Sequence, residues 1–145
     1  DDFVAAKRLA DLGCPTVEQI ALANFMQSPG FDSHLRSANR TLKARRKALL
    51  AGLRQFAGGR VEVADSPAGM HTVVWLKDYD DDACQRLIEV AQRRGLGLYP
   101  IKPHYLKHSP RPGLLLGYAG MSLTDIHKAM RLFGECLESV ASPSV

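Results

Sequence analysis

The sequence predicts an α/β (α+β) domain with a small mixed or antiparallel sheet of about four strands packed by helices. Two observations carry this. Apolar residues recur at helical spacing in several long segments, and short runs of β-branched and aromatic residues stand between them, bounded by Gly and Pro. The resulting order is helix, helix, long helix, strand, strand, helix, strand, strand, helix, which a sheet covered by helices on one face satisfies.

Phe3 to Leu12 reads as a first helix that closes at Gly13. Pro15 breaks the chain, and Thr16 is placed to cap a second helix. Val17, Ile20, Ala21, Ala23, Asn24 and Met26 describe that helix as half-buried, ending at Ser28-Pro29-Gly30. Asp32 or Ser33 is the expected cap of a third, long helix. Its apolar stripe is Leu35, Ala38, Leu42, Leu49, Leu53 and Phe56, and Gly58-Gly59 ends it.

Arg60 to Ala64 and Met70 to Leu76 read as two strands. Ser66-Pro67-Ala68-Gly69 between them has turn chemistry, so they form an antiparallel hairpin. Asp80-Asp81-Asp82 opens the next helix, where the macrodipole favours negative charge, and Arg93-Arg94-Gly95 closes it. Cys84, Leu87, Ile88 and Ala91 are its buried stripe. Leu96 to Ile101 is a third strand, Lys102 to Pro112 a proline-rich loop, and Gly113 to Ala119 a fourth, buried strand. Ser122-Leu123-Thr124-Asp125 resembles a capping box. It starts a last helix with Ile126, Ala129, Met130, Phe133, Leu137 and Val140 inward.

The 145 residues are expected to form a single domain with a real core. A net charge of +4 and a pI near 9.1 permit an anionic ligand without indicating nucleic acid. The basic stretch Arg36, Arg40, Arg45 and Arg46 lacks interleaved aromatics and reads as a solvated helix face. No apolar run approaches the roughly 18 residues of a membrane span. The start, Asp1-Asp2-Phe3-Val4, has no signal-peptide pattern. A cytoplasmic location is the expectation. Cys14, Cys84 and Cys136 are far apart and odd in number, which argues for reduced, mostly buried thiols rather than disulfides or zinc. His34, His71, His108 and His127 show no metal-ligand spacing, so no metal site is assigned.

Within these elements the sequence is more specific. Glu18 to Met26, Phe31 to Arg36, Arg45 to Leu50, Ala68-Gly69-Met70-His71, Gly97-Leu98-Tyr99-Pro100 and Pro112 to Ala119 form a series. In order and spacing it resembles the C-terminal part of class I/II aminotransferases, the fold-type-I pyridoxal-phosphate-dependent transferases. It is most similar to the aminotransferase-like half of MocR-type regulators of the GntR family. The resemblance runs from about Phe3 to Leu137. It implies a small domain, with residues 1–30 joining a large domain that lies outside this sequence. It also implies an N-terminal winged-helix DNA-binding domain, a homodimer, and pyridoxal 5'-phosphate as the cofactor of the full-length protein.

The resemblance places the family's cofactor lysine upstream of this chain. A Schiff-base lysine needs an amine whose pKa is lowered by burial or nearby charge. Lys7, Lys43, Lys47, Lys77, Lys102, Lys107 and Lys128 read instead as solvated surface groups. No catalytic residue is assigned, and the chain alone is expected not to be an enzyme. In true aminotransferases of the family, the strand matching Leu114 to Ala119 carries an arginine that grips the substrate carboxylate, a task suited to a guanidinium fork. Here that position is Leu115. One reading is plain core packing, for which Leu115→Ala would cost about 2–5 kcal/mol. The other is loss of the amino-acid grip in a sensor of some other effector, with Arg111 as the nearest substitute cation. Tyr99, Pro100, Ile101 and Tyr105 enter the loop that passes the family's active-site mouth and complete the effector-pocket candidates with Arg111 and Leu115. Thr16 lies where some relatives approach the partner's cofactor phosphate. The rival function is the small domain of an active aminotransferase.

Overall fold

The computed structural model describes residues 2–11, 15–64, 69–107 and 109–141. The chain divides into two compact units, Asp1–Asn39 and Arg40–Val145.

In the first unit, helix α1 spans Asp2–Asp11 and α2 spans Thr16–Met26; α3, Pro29–Gly52, begins there. Pro15 takes the cap position of α2, so Thr16 is the first helical residue rather than the cap. Pro29 sits at the first helical position of α3, where its missing N–H costs nothing and its fixed φ suits a helix. The helix therefore starts before Asp32 and Ser33, which lie inside its first turns. Phe25 packs edge-on against Phe31, with ring centroids 5.7 Å apart, and Ser28 Oγ donates to the Phe25 carbonyl at 2.7 Å. Neither α1 nor α2 buries a residue. Ile20 is 56% exposed and Val17 77%, so the half-burial expected of α2 is absent. The expected stop at Gly13 and the thiol of Cys14 lie outside the described residues.

In the second unit, the remainder of α3 runs into a π-helical turn, Leu53–Ala57, and a 3-10 turn, Gly58–Arg60. Strands β1 (Val61–Val63) and β2 (His71–Leu76) follow, then α4 (Asp81–Arg93), β3 (Tyr99–Pro100), a 3-10 turn (Lys102–His104), β4 (Gly113–Gly117) and α5 (Leu123–Ala141). The sheet order is β1-β2-β4-β3, and every neighbouring pair is antiparallel. The sheet is thus not mixed. The expected third strand shrinks from six residues to Tyr99–Pro100: Leu96 still donates its N–H to the Ala91 carbonyl at 2.9 Å as part of the helix end that Gly95 turns, and after Ile101 the chain enters the Lys102–His104 helix. The fourth strand ends at Gly117; Tyr118 still donates its N–H to the Met70 carbonyl at 3.1 Å. The turn residues Ser66, Pro67 and Ala68 lie outside the described residues.

The core lies between one sheet face and the helices. Val74, Leu76, Leu114 and Leu116 meet Leu49, Leu53, Leu87, Ile126, Phe133 and Leu137 in one buried cluster. Cys84 and Cys136 are buried free thiols within it, and burial raises the Cys84 pKa. Helices α4 and α5 both start on side-chain caps. Asp80 accepts from the Ala83 N–H at 2.7 Å. Ser122 Oγ accepts from the Asp125 N–H at 3.1 Å and donates to the Asp125 carboxylate at 2.7 Å. Each cap satisfies an N–H that the first helical turn leaves without an acceptor. Arg94, just past the end of α4, pairs with Glu135 of α5, and Tyr79 donates to the Leu137 carbonyl at 3.1 Å. At the other side of the core, Arg45 of α3 donates to the Ala119 carbonyl.

Candidate functional site

Strand alternation sends every second residue to the sheet face turned away from the core. The register aligns them. Leu115 of β4 is paired with Val73 of β2 on one side and Tyr99 of β3 on the other. Trp75 is opposite both Gly113 and Glu62, and His71 is opposite Gly117. None of these residues belongs to the core cluster. Leu115, Val73 and Trp75 are half-buried, while His71 is exposed and Tyr99 is 67% exposed.

Two glycines leave room for aromatic rings against β4. A β-carbon at Gly113 would stand 2.6 Å from Trp75 Cε3 and 3.1 Å from Ile101 Cγ2, so only glycine admits this packing. At Gly117 the same atom would come within 3.2 Å of the His71 ring. The outcome is a floor with Trp75 at one end, Leu115 and Val73 in the middle and His71 at the other end. Arg111 closes the Trp75 end. Its guanidinium lies 5.0 Å from the Trp75 ring centroid. Its two Nη atoms bond the two Glu62 oxygens at 2.9 and 2.8 Å. This fork-to-fork arrangement is the strong form of a carboxylate pair. Hydrogen bonding from Arg111 is the largest cause holding the Glu62 pKa below its usual value, and the same bond raises that of Arg111.

The sequence-predicted residues separate. Tyr99, Ile101, Arg111 and Leu115 come together on this face, with Ile101 buried beside Gly113. Pro100 is paired with Leu114 and so turns to the other side. There it lines a cleft of about 410 Å3 together with Cys84, Ile88, Lys102 and Arg111. Tyr105 follows the 3-10 turn and is 40% exposed. Thr16 belongs to the first unit. A wider hollow of about 1310 Å3, between the Gly58–Arg60 turn and α4, holds none of the predicted residues. Leu115 is not the core residue that its plain reading supposed: the inward leucines of the strand are Leu114 and Leu116. Sequence reasoning missed Glu62, Val73, His71 and Trp75. The alternation of β2 was a usable signal for Trp75 and Val73; the pairing of Glu62 with Arg111, far apart in sequence, had none.

The lysines do not fit an imine-forming amine. All seven are exposed. Lys102 bonds Asp81 at 2.6 Å, and that bond raises its pKa, the reverse of what a nucleophilic amine needs. Among the described residues no three His, Cys, Asp or Glu side chains gather as metal ligands. Among the same residues no helix is long and apolar enough to cross a membrane.

No family model matches the chain. Among curated proteins, it is 29% identical over 108 residues to the HTH-type transcriptional regulator YhdI of Bacillus subtilis (strain 168), covering 74% of this chain and 23% of that protein. It is 30% identical over 104 residues to the probable rhizopine catabolism regulatory protein MocR of Rhizobium meliloti, covering 71% and 20%. With YcxD of Bacillus subtilis (strain 168), another HTH-type regulator, it shares 28% identity over 137 residues, 91% of this chain and 30% of the relative. The chain therefore spans under a third of the length of these relatives. Among solved structures, the kynurenine aminotransferase of Pyrococcus horikoshii superposes with a TM-score of 0.84 at 20% identity, covering 95% of this chain and 34% of that one. The α-aminoadipate aminotransferase LysN of Thermus thermophilus gives 0.81 at 23% identity, with 94% and 34% covered. In sequence and in fold, this chain matches the aminotransferase-like C-terminal part of MocR-type regulators, built as the small domain of a fold-type-I aminotransferase.

Proposed function

We propose that this chain is the effector-binding portion of a MocR-type transcriptional regulator. It acts with a larger cofactor-binding domain and a winged-helix DNA-binding domain of the same protein, as a cytoplasmic homodimer. Residues 1–30 join the larger domain, and the exposed apolar residues of α1 and α2 are the surface for that union. Pyridoxal phosphate is held by the larger domain, since the lysines here do not fit it. The observation that carries the reading is the chemistry of the outer sheet face. At its centre stands Leu115, which cannot hold a carboxylate, and the neighbouring cation Arg111 is already bonded to Glu62. Tyr99, Ile101, Leu115 and Arg111 then contact the effector from this face, Tyr105 shapes its rim, and Thr16 approaches the partner subunit's cofactor phosphate. A vitamer of the cofactor is one fitting effector. Ligand-dependent closure of such a face shifts a dimer between DNA-binding states.

The second reading is the small domain of a working aminotransferase. The fork of Arg111 on the same face favours it, since the group is of the kind that grips carboxylates. Half-reactions of the full-length protein with a panel of α-amino acids separate the two. A regulator shows slow or absent amino transfer and effector-dependent affinity for DNA. Rapid conversion of an α-amino acid to its oxo acid overturns the regulatory reading.

A further inference from the structure

The Glu62–Arg111 pair is more than a surface ion pair in its placement. Glu62 is the middle residue of the three-residue edge strand β1, and Arg111 reaches it across Trp75 from the loop before β4. The guanidinium is held from below by the indole ring and from the side by both carboxylate oxygens. It thus already carries a carboxylate in the bidentate geometry that a carboxylate ligand would need. The pair is also open to exchange. The two side chains are 41% and 49% exposed, so each oxygen can be taken over by water or by a competitor.

We propose that Glu62 is a specificity-determining residue, an internal carboxylate that occupies Arg111 and keeps ligand carboxylates off the outer sheet face. The face then selects ligands by fit to the Trp75–Leu115–His71 floor, and an anionic group on the ligand meets a site already filled and flanked by a like charge. This is discrimination by an unfavourable contact with the wrong ligand rather than a better contact with the right one. The idea rests on reading this face as the ligand face.

Trp75 is the only tryptophan of the chain, so it reports on the site directly. The full-length protein is labelled with 5-fluorotryptophan, and the Trp75 resonance is assigned by its loss in Trp75→Phe. Benzoate and its uncharged counterpart benzamide are the probes. Wild type is expected to shift with benzamide and only weakly with benzoate. Glu62→Gln is expected to bind benzoate at least about 10-fold more tightly than wild type, with its benzamide response unchanged. The double variant Glu62→Gln with Arg111→Gln is expected to lose that gain. Equal benzoate affinity in wild type and Glu62→Gln overturns the proposal, as does a gain that survives loss of Arg111. Circular dichroism of each variant confirms that it is folded, and a folded Glu62→Gln that ignores benzoate also overturns the proposal. If benzamide moves nothing in any variant while the benzoate gain stands, the internal carboxylate is upheld and the apolar-floor reading of the effector site fails instead.

Discussion

Leu115 of β4 and Tyr99 of β3 are cross-strand partners on the face of the sheet that turns away from the core. Their neighbours in sequence, Leu114 and Pro100, form the next pair and face the other way. Leu114 has no exposed surface, whereas Leu115 is half-buried.

That difference sets the cost of truncation. Leu114→Ala leaves a cavity in the core beside its cross-strand partner Val74 and is expected to destabilise the fold by about 2–5 kcal/mol. Leu115→Ala exposes a surface that is already partly wet and should cost under about 1.5 kcal/mol. Urea unfolding of the two variants side by side measures this. Equal losses would place Leu115 in the core after all.

Thr72 is 1% exposed on the inward face of β2, and its hydroxyl has no hydrogen-bond partner among the described residues. A buried hydroxyl without a partner carries an uncompensated desolvation cost. Thr72→Val keeps the shape and removes that group, and should raise stability by about 1 kcal/mol. Thermal and urea midpoints both report it; a loss of stability would reveal a partner for the hydroxyl.

The Glu62 carboxyl titrates below its ordinary value of 4.5, chiefly because Arg111 donates two hydrogen bonds to it, with further attraction from Arg111 and Lys77. The sign follows from the lowered folded-state pKa. The pair contributes its stability above the unfolded-state value, and that contribution disappears as pH falls through the folded-state value. Carbon-detected NMR titration of the Glu62 side chain should give a midpoint under 4.5 in wild type and a higher one in Arg111→Gln. Identical midpoints would mean the pair does not persist in solution.

With its lysines exposed, the chain should not form a stoichiometric covalent adduct with pyridoxal phosphate at one position. Borohydride reduction followed by peptide mapping checks it. Scattered, substoichiometric labelling of surface lysines is the expected pattern, and complete labelling of a single lysine would contradict the exposure and raised pKa seen at Lys102.

Much of the second unit was legible in the sequence because its signals are local. The stripe Cys84, Leu87, Ala91 and the caps at Asp80 and Ser122 act within one turn of helix, and the structure uses them as the spacing implies. The misreadings have equally local causes. Pro29 serves as a helix start, although Ser28-Pro29-Gly30 looks like a break, because a proline's cost falls only on interior positions. The end of α4 takes up Leu96 through its bond to the Ala91 carbonyl, so the third strand starts later than hydrophobicity alone suggests.

The sequence by itself determined the helices of the second unit, the starts of the last two at Asp80 and Ser122, and the position of the strand that carries Leu115. Tertiary structure alone decided which side of the sheet Leu115 faces and what stands around it. A strand's alternation defines two faces but does not name the one the helices cover. Only pairing in register brought Glu62, Trp75 and Arg111 together across 49 residues of chain, because side-chain contacts between strands follow from hydrogen-bond register, which no local pattern encodes.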